Sequence, residues 1–141
     1  MEHVHTIRLR GPWTYQLLTP PENSTNASAA VTGKWTLPAD WSGLLGADFA
    51  GRVKFRRIFH RPTNLGQEVV WLAIDEVVGR ADILLNDIPV GTLDDGQHGR
   101  WAITEHLALN NVLEVVVEHH PGAGDFRAGG IVGEVRLEIQ P

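Results

Sequence analysis

The sequence has no cysteine among its 141 residues, so it has no disulfide and does not depend on an oxidising compartment. Thiol catalysis and cysteine redox chemistry are excluded with it. No uncharged apolar run approaches the roughly 18 residues that a membrane span requires. Met1-Glu-His-Val-His5 has no basic segment followed by an apolar core. The expectation is a soluble chain with no signal peptide and no membrane partner, cytoplasmic by default. Positive charge is also scarce: 12 Lys and Arg stand against 17 Asp and Glu, a net charge of −5. That balance argues against a phosphate backbone as the main partner. Long amphipathic helices, internal repeats, a phosphate-cradling glycine loop and a nucleophile elbow are all missing.

What the sequence does have is alternation. Val53, Phe55, Arg57 and Phe59 alternate with Lys54, Arg56 and Ile58. Leu113, Val115 and Val117 alternate with Glu114, Val116 and Glu118, and Val135, Leu137 and Ile139 with Arg136 and Glu138. A period of two predicts strands with one wet face. Glu68-Val-Val-Trp-Leu-Ala-Ile-Asp75 is apolar on both faces and predicts a central strand packed on one side and covered by a loop on the other. Fifteen glycines and eight prolines cut the chain at short intervals, a pattern of a sandwich or barrel rather than of parallel βαβ units. Short helical turns are expected near Asp40–Asp48 and at Thr104-Glu-His-Leu107. Residues 20–30 are polar, small and aperiodic, and are expected to form an exposed loop inside one domain spanning 1–141. Asn23-Ser-Thr and Asn26-Ala-Ser match the glycosylation sequon there, a match that loop composition alone explains.

The hairpin Ala81-Asp-Ile-Leu-Leu-Asn86-Asp-Ile-Pro-Val-Gly91 ends on Asp94-Asp95-Gly96, which reads either as a binding loop or as a solvated turn. Asp94, Asp95, Gln97, His98, Arg100 and Trp101 place polar groups and one aromatic within eight positions. Carbohydrate recognition needs such a combination, hydroxyl-bonding side chains beside an apolar plate. The competing reading makes Asp94-Asp95-Gly96 an ordinary turn, Trp101 a core residue and Arg127 the partner of a local carboxylate. Metal ligation is weakly indicated. His3-x-His5 and His119-His120 lack further ligands at a recognisable spacing. Lys54-Phe-Arg-Arg-Ile-Phe-His-Arg61 mixes basic and aromatic residues as nucleic-acid surfaces do, but a period of two sends its phenylalanines inward, and no nucleic-acid partner is expected.

The order of motifs resembles the sugar-binding domain at the N-terminus of family 2 glycoside hydrolases, the β-galactosidase and β-glucuronidase family. The motifs are Leu9-Arg-Gly-Pro-Trp13, Leu37-Pro-Ala-Asp-Trp41, Phe55-Arg-Arg-Ile-Phe59, Trp71-Leu-Ala-Ile, the hairpin with its Asn86 turn, Asn111-Val-Leu-Glu, and Phe126-Arg-Ala-Gly-Gly-Ile-Val-Gly-Glu-Val-Arg-Leu. Asp87 stands where the family has a turn glycine, Val132 where it has an aromatic, and Ala102 where it has an aspartate. The resemblance implies an all-β jelly-roll β-sandwich of the galactose-binding type, in agreement with the strand pattern. It makes Arg56 and Arg57 structural and Asp95 a sugar-facing residue, with Phe126 and Arg127 at the same end.

The family's hydrolytic carboxylates lie on a separate barrel domain for which this chain is too short. Glu114, Glu118, Glu134 and Glu138 read as solvated strand-face charges, and no catalytic residue is assigned. The expected function is a non-catalytic carbohydrate-binding module whose ligand-binding residues are Asp94, Asp95, His98, Arg100, Trp101, Phe126 and Arg127. The expected partners are a carbohydrate ligand or a glycosidase or other protein, and the oligomeric state is left open. No cofactor is expected; a calcium at the sandwich edge is left open and no spacing indicates one. The alternative is a structural or protein-interaction module that kept the fold and lost the sugar site.

Overall fold

A computed structural model describes residues 4–18, 32–46, 48–122 and 127–141. The exposed loop expected at 20–30, the two sequons, His3 and Phe126 lie outside the described residues. In chain order the strands are β1 (His5–Arg8), β2 (Trp13–Leu17), β3 (Thr32–Trp35), β4 (Ala39–Asp40), β5 (Gly51–His60), β6 (Val69–Ile74), β7 (Val77–Val78), β8 (Arg80–Leu85), β9 (Ile88–Leu93), β10 (Gly99–Ala102), β11 (Asn110–His119), β12 (Gly130–Ile131) and β13 (Val135–Gln140). A single helical turn, α1, covers Ser42–Leu45, and a 3-10 turn covers Thr104–His106. Both coincide with the short turns read from the sequence.

The strands form two facing sheets. One has six strands in the order β3-β2-β5-β11-β8-β9; the other has four in the order β1-β13-β6-β10. A small third sheet, β4-β12-β7, closes one end. Every pairing is antiparallel. This is a β-sandwich, one of the two architectures that the alternation and turn spacing allow, and of the jelly-roll type that the resemblance implies.

The pleat decides which side chains enter the core. On β5, Val53, Phe55 and Phe59 point inward and are buried, and the same holds for Leu113, Val115 and Val117 on β11 and for Ala81, Ile83 and Leu85 on β8. Leu72, Ile74, Val135 and Leu137 face them from the other sheet. Each large side chain so buried contributes about 1.5–3 kcal/mol, and the register of each strand is fixed because a one-residue slip would turn that set to water.

β6 is the central strand expected, but its second face is not roofed by a loop. Arg136 and Arg100 flank Ala73 in register, and the Arg100 guanidinium lies 3.9 Å above the Trp71 ring. Their aliphatic stems and planar heads shield apolar surface while the charges stay in water.

The β8–β9 hairpin turns on Asn86 and Asp87, with φ of 53° and 69°. Both lie in the left-handed region, as a two-residue hairpin turn requires, and Asn and Asp tolerate it best after glycine. Asp87 can therefore replace the turn glycine. Pro89 follows on β9, which is an edge strand where a missing N–H costs no ladder bond.

The turn is locked by a buried amide. Asn111, fully buried, accepts the Ala108 N–H at 2.8 Å and an Asn86 side-chain N–H at 3.0 Å through one oxygen. Its own N–H groups donate to the carbonyls of Ala108 and Phe59 at 3.0 and 3.4 Å. Asn86 in turn accepts the Val112 N–H at 2.9 Å and donates to the His106 carbonyl at 2.9 Å. Asn111→Ala would strip these buried groups of partners at once. Each such loss costs about 1–3 kcal/mol, so we expect Asn111→Ala to lower unfolding stability by about 3 kcal/mol in urea titration, against under 1 kcal/mol for the exposed Asn110→Ala.

Candidate functional site

The Asp94–Trp101 segment joins β9 to β10 and so links the edges of the two sheets. Its first four residues form a closed turn: the Gln97 N–H donates to the Asp94 carbonyl and the Asp94 N–H to Gln97 Oε1, both at 3.0 Å. Gly96 supplies the left-handed φ of 77° that the turn needs and donates to the Val77 carbonyl at 2.8 Å.

Asp95 anchors this turn. Its Oδ1 accepts the Gly79 backbone N–H at 2.9 Å and its Oδ2 accepts an Arg127 N–H at 2.9 Å. The Gly79 hydrogen bond, reinforced by the Arg127 guanidinium and opposed by partial desolvation, holds the Asp95 carboxyl below the usual aspartate range. The Arg127 carbonyl accepts from Nε2 of the buried His119 at 2.9 Å. Asp95, Gly79, Arg127 and His119 thus tie the β9–β10 segment to the β7–β8 corner, to the end of β11 and to the segment before β12.

The neighbouring glycines have a packing reason. Gly129 lies against the Trp41 ring, where an added Cβ would come within 2.5 Å of it, and its carbonyl accepts the Trp41 N–H at 2.9 Å. This is the tight backbone approach expected of Gly129-Gly130.

The other members of the expected site go to different places. Asp94 and His98 are exposed on the tip beside Asp95. Trp101 is half-buried, packed against the core. A Cβ on Gly91 would fall 2.3 Å from its Nε1, and one on Gly99 2.5 Å from the far edge of its ring. The indole therefore rests on two glycine backbones, one on β9 and one on β10, and fills the gap between the sheet edges.

Arg100, one position earlier, points to the outer face of the four-stranded sheet. There it donates to Glu138 at 2.7 Å and Gln140 at 3.3 Å and covers Trp71. The structure brings Asp94, Asp95, His98 and Arg127 together and does not bring Arg100 to them. Among the described residues no group of three or more His, Asp or Glu side chains is placed to hold a metal ion.

Sequence reasoning missed a second concavity. A groove of about 540 Å³ lies on the outer face of the six-stranded sheet, lined by Thr14, Gln16, Lys54, Arg56, Asp87 and Glu114 among others. Lys54 Nζ lies 3.4 Å from Glu114. Arg57 is structural, as the resemblance implies: its Nε donates to the Arg10 carbonyl at 3.0 Å and its Nη1 to the Ile58 carbonyl. Arg56 is not. It is exposed and its side chain makes no hydrogen bond or ion pair among the described residues. Strand alternation sends the two arginines to opposite faces, which the shared motif concealed.

No family model and no curated protein sequence matches this chain. Solved structures do. The FMN-binding β-glucuronidase of Faecalibacterium prausnitzii L2-6 superposes with a TM-score of 0.79 at 21% identity, over 99% of this chain and 23% of that one. Bifidobacterium dentium β-glucuronidase, complexed with coumarin-3-O-glucuronide, gives 0.81 at 18%, over 98% and 30%. A calcium-binding mutant of Bacteroides uniformis β-glucuronidase 2 gives 0.78 at 21%, over 99% and 18%.

The protein is thus a jelly-roll β-sandwich of one domain's size. Its fold is the one these family 2 glycoside hydrolases carry in a domain, as the motif order implied, and the chain spans less than a third of their length. Among the described residues the strands form antiparallel sheets and no catalytic barrel.

The Asp95 anchor has a pH signature. Because its folded-state pKa is lowered, ionised Asp95 stabilises the fold in full above about pH 4, and that contribution disappears as pH falls through the folded value. The Arg127 pair is half exposed and worth at most about 1 kcal/mol. Asp95→Asn should therefore be less stable than the parent by about that amount at pH 7, with the gap closing in urea titrations as pH falls below the usual aspartate range. A gap that stays constant with pH would contradict the assigned role.

Proposed function

We propose that the chain is a non-catalytic carbohydrate-binding domain that works beside a glycoside hydrolase catalytic domain. The observation that carries this reading is the tip of the β9–β10 segment. Its backbone is fixed by the Asp95 anchor and the Asp94–Gln97 turn, while the Asp94 carboxylate and the His98 imidazole stand exposed on it. Groups ordered before binding lose less entropy on binding, which suits hydrogen bonding to sugar hydroxyls.

The acids support a non-catalytic role. A retaining glycosidase needs two carboxylates about 5 Å apart, one with a raised pKa. Here Glu114 pairs with Lys54 and Glu134 with Arg8. Glu138 is held below the usual glutamate range by Arg100 first and Arg136 next. A carboxylate held ionised by two guanidiniums makes a poor proton donor.

One observation favours the alternative, an interaction domain without a sugar site. Trp101 rests on Gly91 and Gly99 and fills the gap between the sheet edges, so much of the ring is not presented to a ligand. Amide-shift titration of labelled protein with galactosides, glucosides and glucuronides separates the two. We expect shifts centred on Asp94 to His98 that Asp94→Ala and His98→Ala each weaken severalfold, with folding intact because neither side chain holds a described bond. A flat response at millimolar sugar at every residue would sink the carbohydrate reading and leave the interaction domain.

A further inference from the structure

We infer that the groove on the outer face of the six-stranded sheet is a second saccharide site, specific for neutral oligosaccharides. This rests on the carbohydrate-binding reading and adds a site and a ligand class to it. The groove lies between β2, β5, β11 and the β8–β9 turn, and shares no lining residue with the Asp94 tip. Its volume of about 540 Å³ falls within the usual range of ligand clefts.

Register makes the floor. Thr14, Arg56, Glu114 and Leu84 stand in one cross-strand row, and Gln16, Lys54, Val116 and Asp82 in the next. Even-numbered residues of β5 and β11 face outward together because their partners on the core side are buried. Rows two residues apart are roughly 7 Å apart along the strand, so polar groups recur at the spacing of a chain lying across them.

Charge chooses the occupant. The groove is lined by two cations, Lys54 and Arg56, and two acids, Asp87 and Glu114. An adjoining recess of about 230 Å³ repeats the balance with Arg52 and Arg80 against Asp82 and Glu118. A polyanion would meet the four carboxylates, and a polycation would meet the cations. A purely apolar ligand would strand all of them, and leaving charged groups without partners is costly. Neutral hydroxyls both donate and accept, so a sugar chain can satisfy Arg56, Gln16 and Glu114 together.

Arg56 is the group most open to a ligand. It is exposed and its guanidinium has no side-chain partner among the described residues, whereas Lys54 is already shared with Glu114 at 3.4 Å. Gln16 makes no described side-chain bond and offers both an amide donor and a carbonyl acceptor.

The test is amide-shift titration with neutral cellotetraose and lactose, with the galacturonate trimer and with the chitosan trimer, on the parent, Arg56→Ala, Gln16→Ala and Asp94→Ala. We expect a neutral sugar to shift residues of β2, β5 and β11, and Arg56→Ala to weaken that binding about tenfold, as loss of one charge-assisted hydrogen bond does. Gln16→Ala should weaken it severalfold, and Asp94→Ala should leave it unchanged. Shifts confined to the Asp94 tip and insensitive to Arg56→Ala would overturn the groove while leaving the carbohydrate-binding reading intact. Preference for the galacturonate or chitosan oligomer in the groove would overturn the neutral specificity. No shift with any sugar would overturn both.

Discussion

The buried amide of Asn111 is the constraint on which the rest of the sandwich depends. A β-hairpin turn, the start of the central strand β11 and a 3-10 turn converge at that point, and each brings backbone groups that strand pairing cannot satisfy. Asn111 supplies two donors and an acceptor oxygen there, and Asn86 supplies a second amide that closes the set. A side chain with only one kind of group would leave part of this unpaired. Because β11 pairs with both β5 and β8, fixing its first residues fixes the register of the whole six-stranded sheet. The same lock places Asp87 at the rim of the groove, so a fold-determining bond also shapes a surface.

Elsewhere the sandwich divides its polar residues into those committed to holding the fold and those left to solvent. Asp95 joins a backbone N–H to a guanidinium across three loops, and Arg100 and Arg136 cover the outer face of β6 while binding Glu138. Trp101 seals the gap between the sheet edges. Three residues that look like ligand groups in the sequence are therefore also structural parts. Asp94 and His98 on the tip, and Arg56 and Gln16 in the groove, are among the described residues whose side chains hold nothing else.

Much of the fold was legible in the sequence because alternation is a local property. The faces of β5, β11 and β13 and the inward phenylalanines of Phe55-Arg-Arg-Ile-Phe59 follow from the period, and the Asn86 turn from its residue types. The same rule, carried one step further, separates Arg56 from Arg57 and Arg100 from Trp101, since adjacent strand residues face opposite ways. Treating each pair as a unit hid that separation. Proximity in the chain put Asp95, Arg100 and Trp101 in one candidate site, whereas the pleat put them in three environments. The groove was not legible for the opposite reason: Thr14, Arg56, Asp87 and Glu114 are far apart in sequence and meet only through strand order.

A polar groove of this kind persists only if its charges are tolerable without a ligand. Two cations and two acids on the outer face of the sheet satisfy that condition, because water and partial pairing such as Lys54 with Glu114 balance the charges. The same condition limits what the groove can hold. A ligand that removed water without replacing its hydrogen bonds would leave ionised groups unsolvated, at a cost greater than the apolar contact it gained. Only a ligand as hydrogen-bonding as water can displace water there, and a neutral sugar is the biological polymer closest to that requirement. On the proposed reading the two regions suit different tasks: the groove, with more polar groups on one face, would hold a chain by itself, and the more exposed tip would complete a site built largely by another domain.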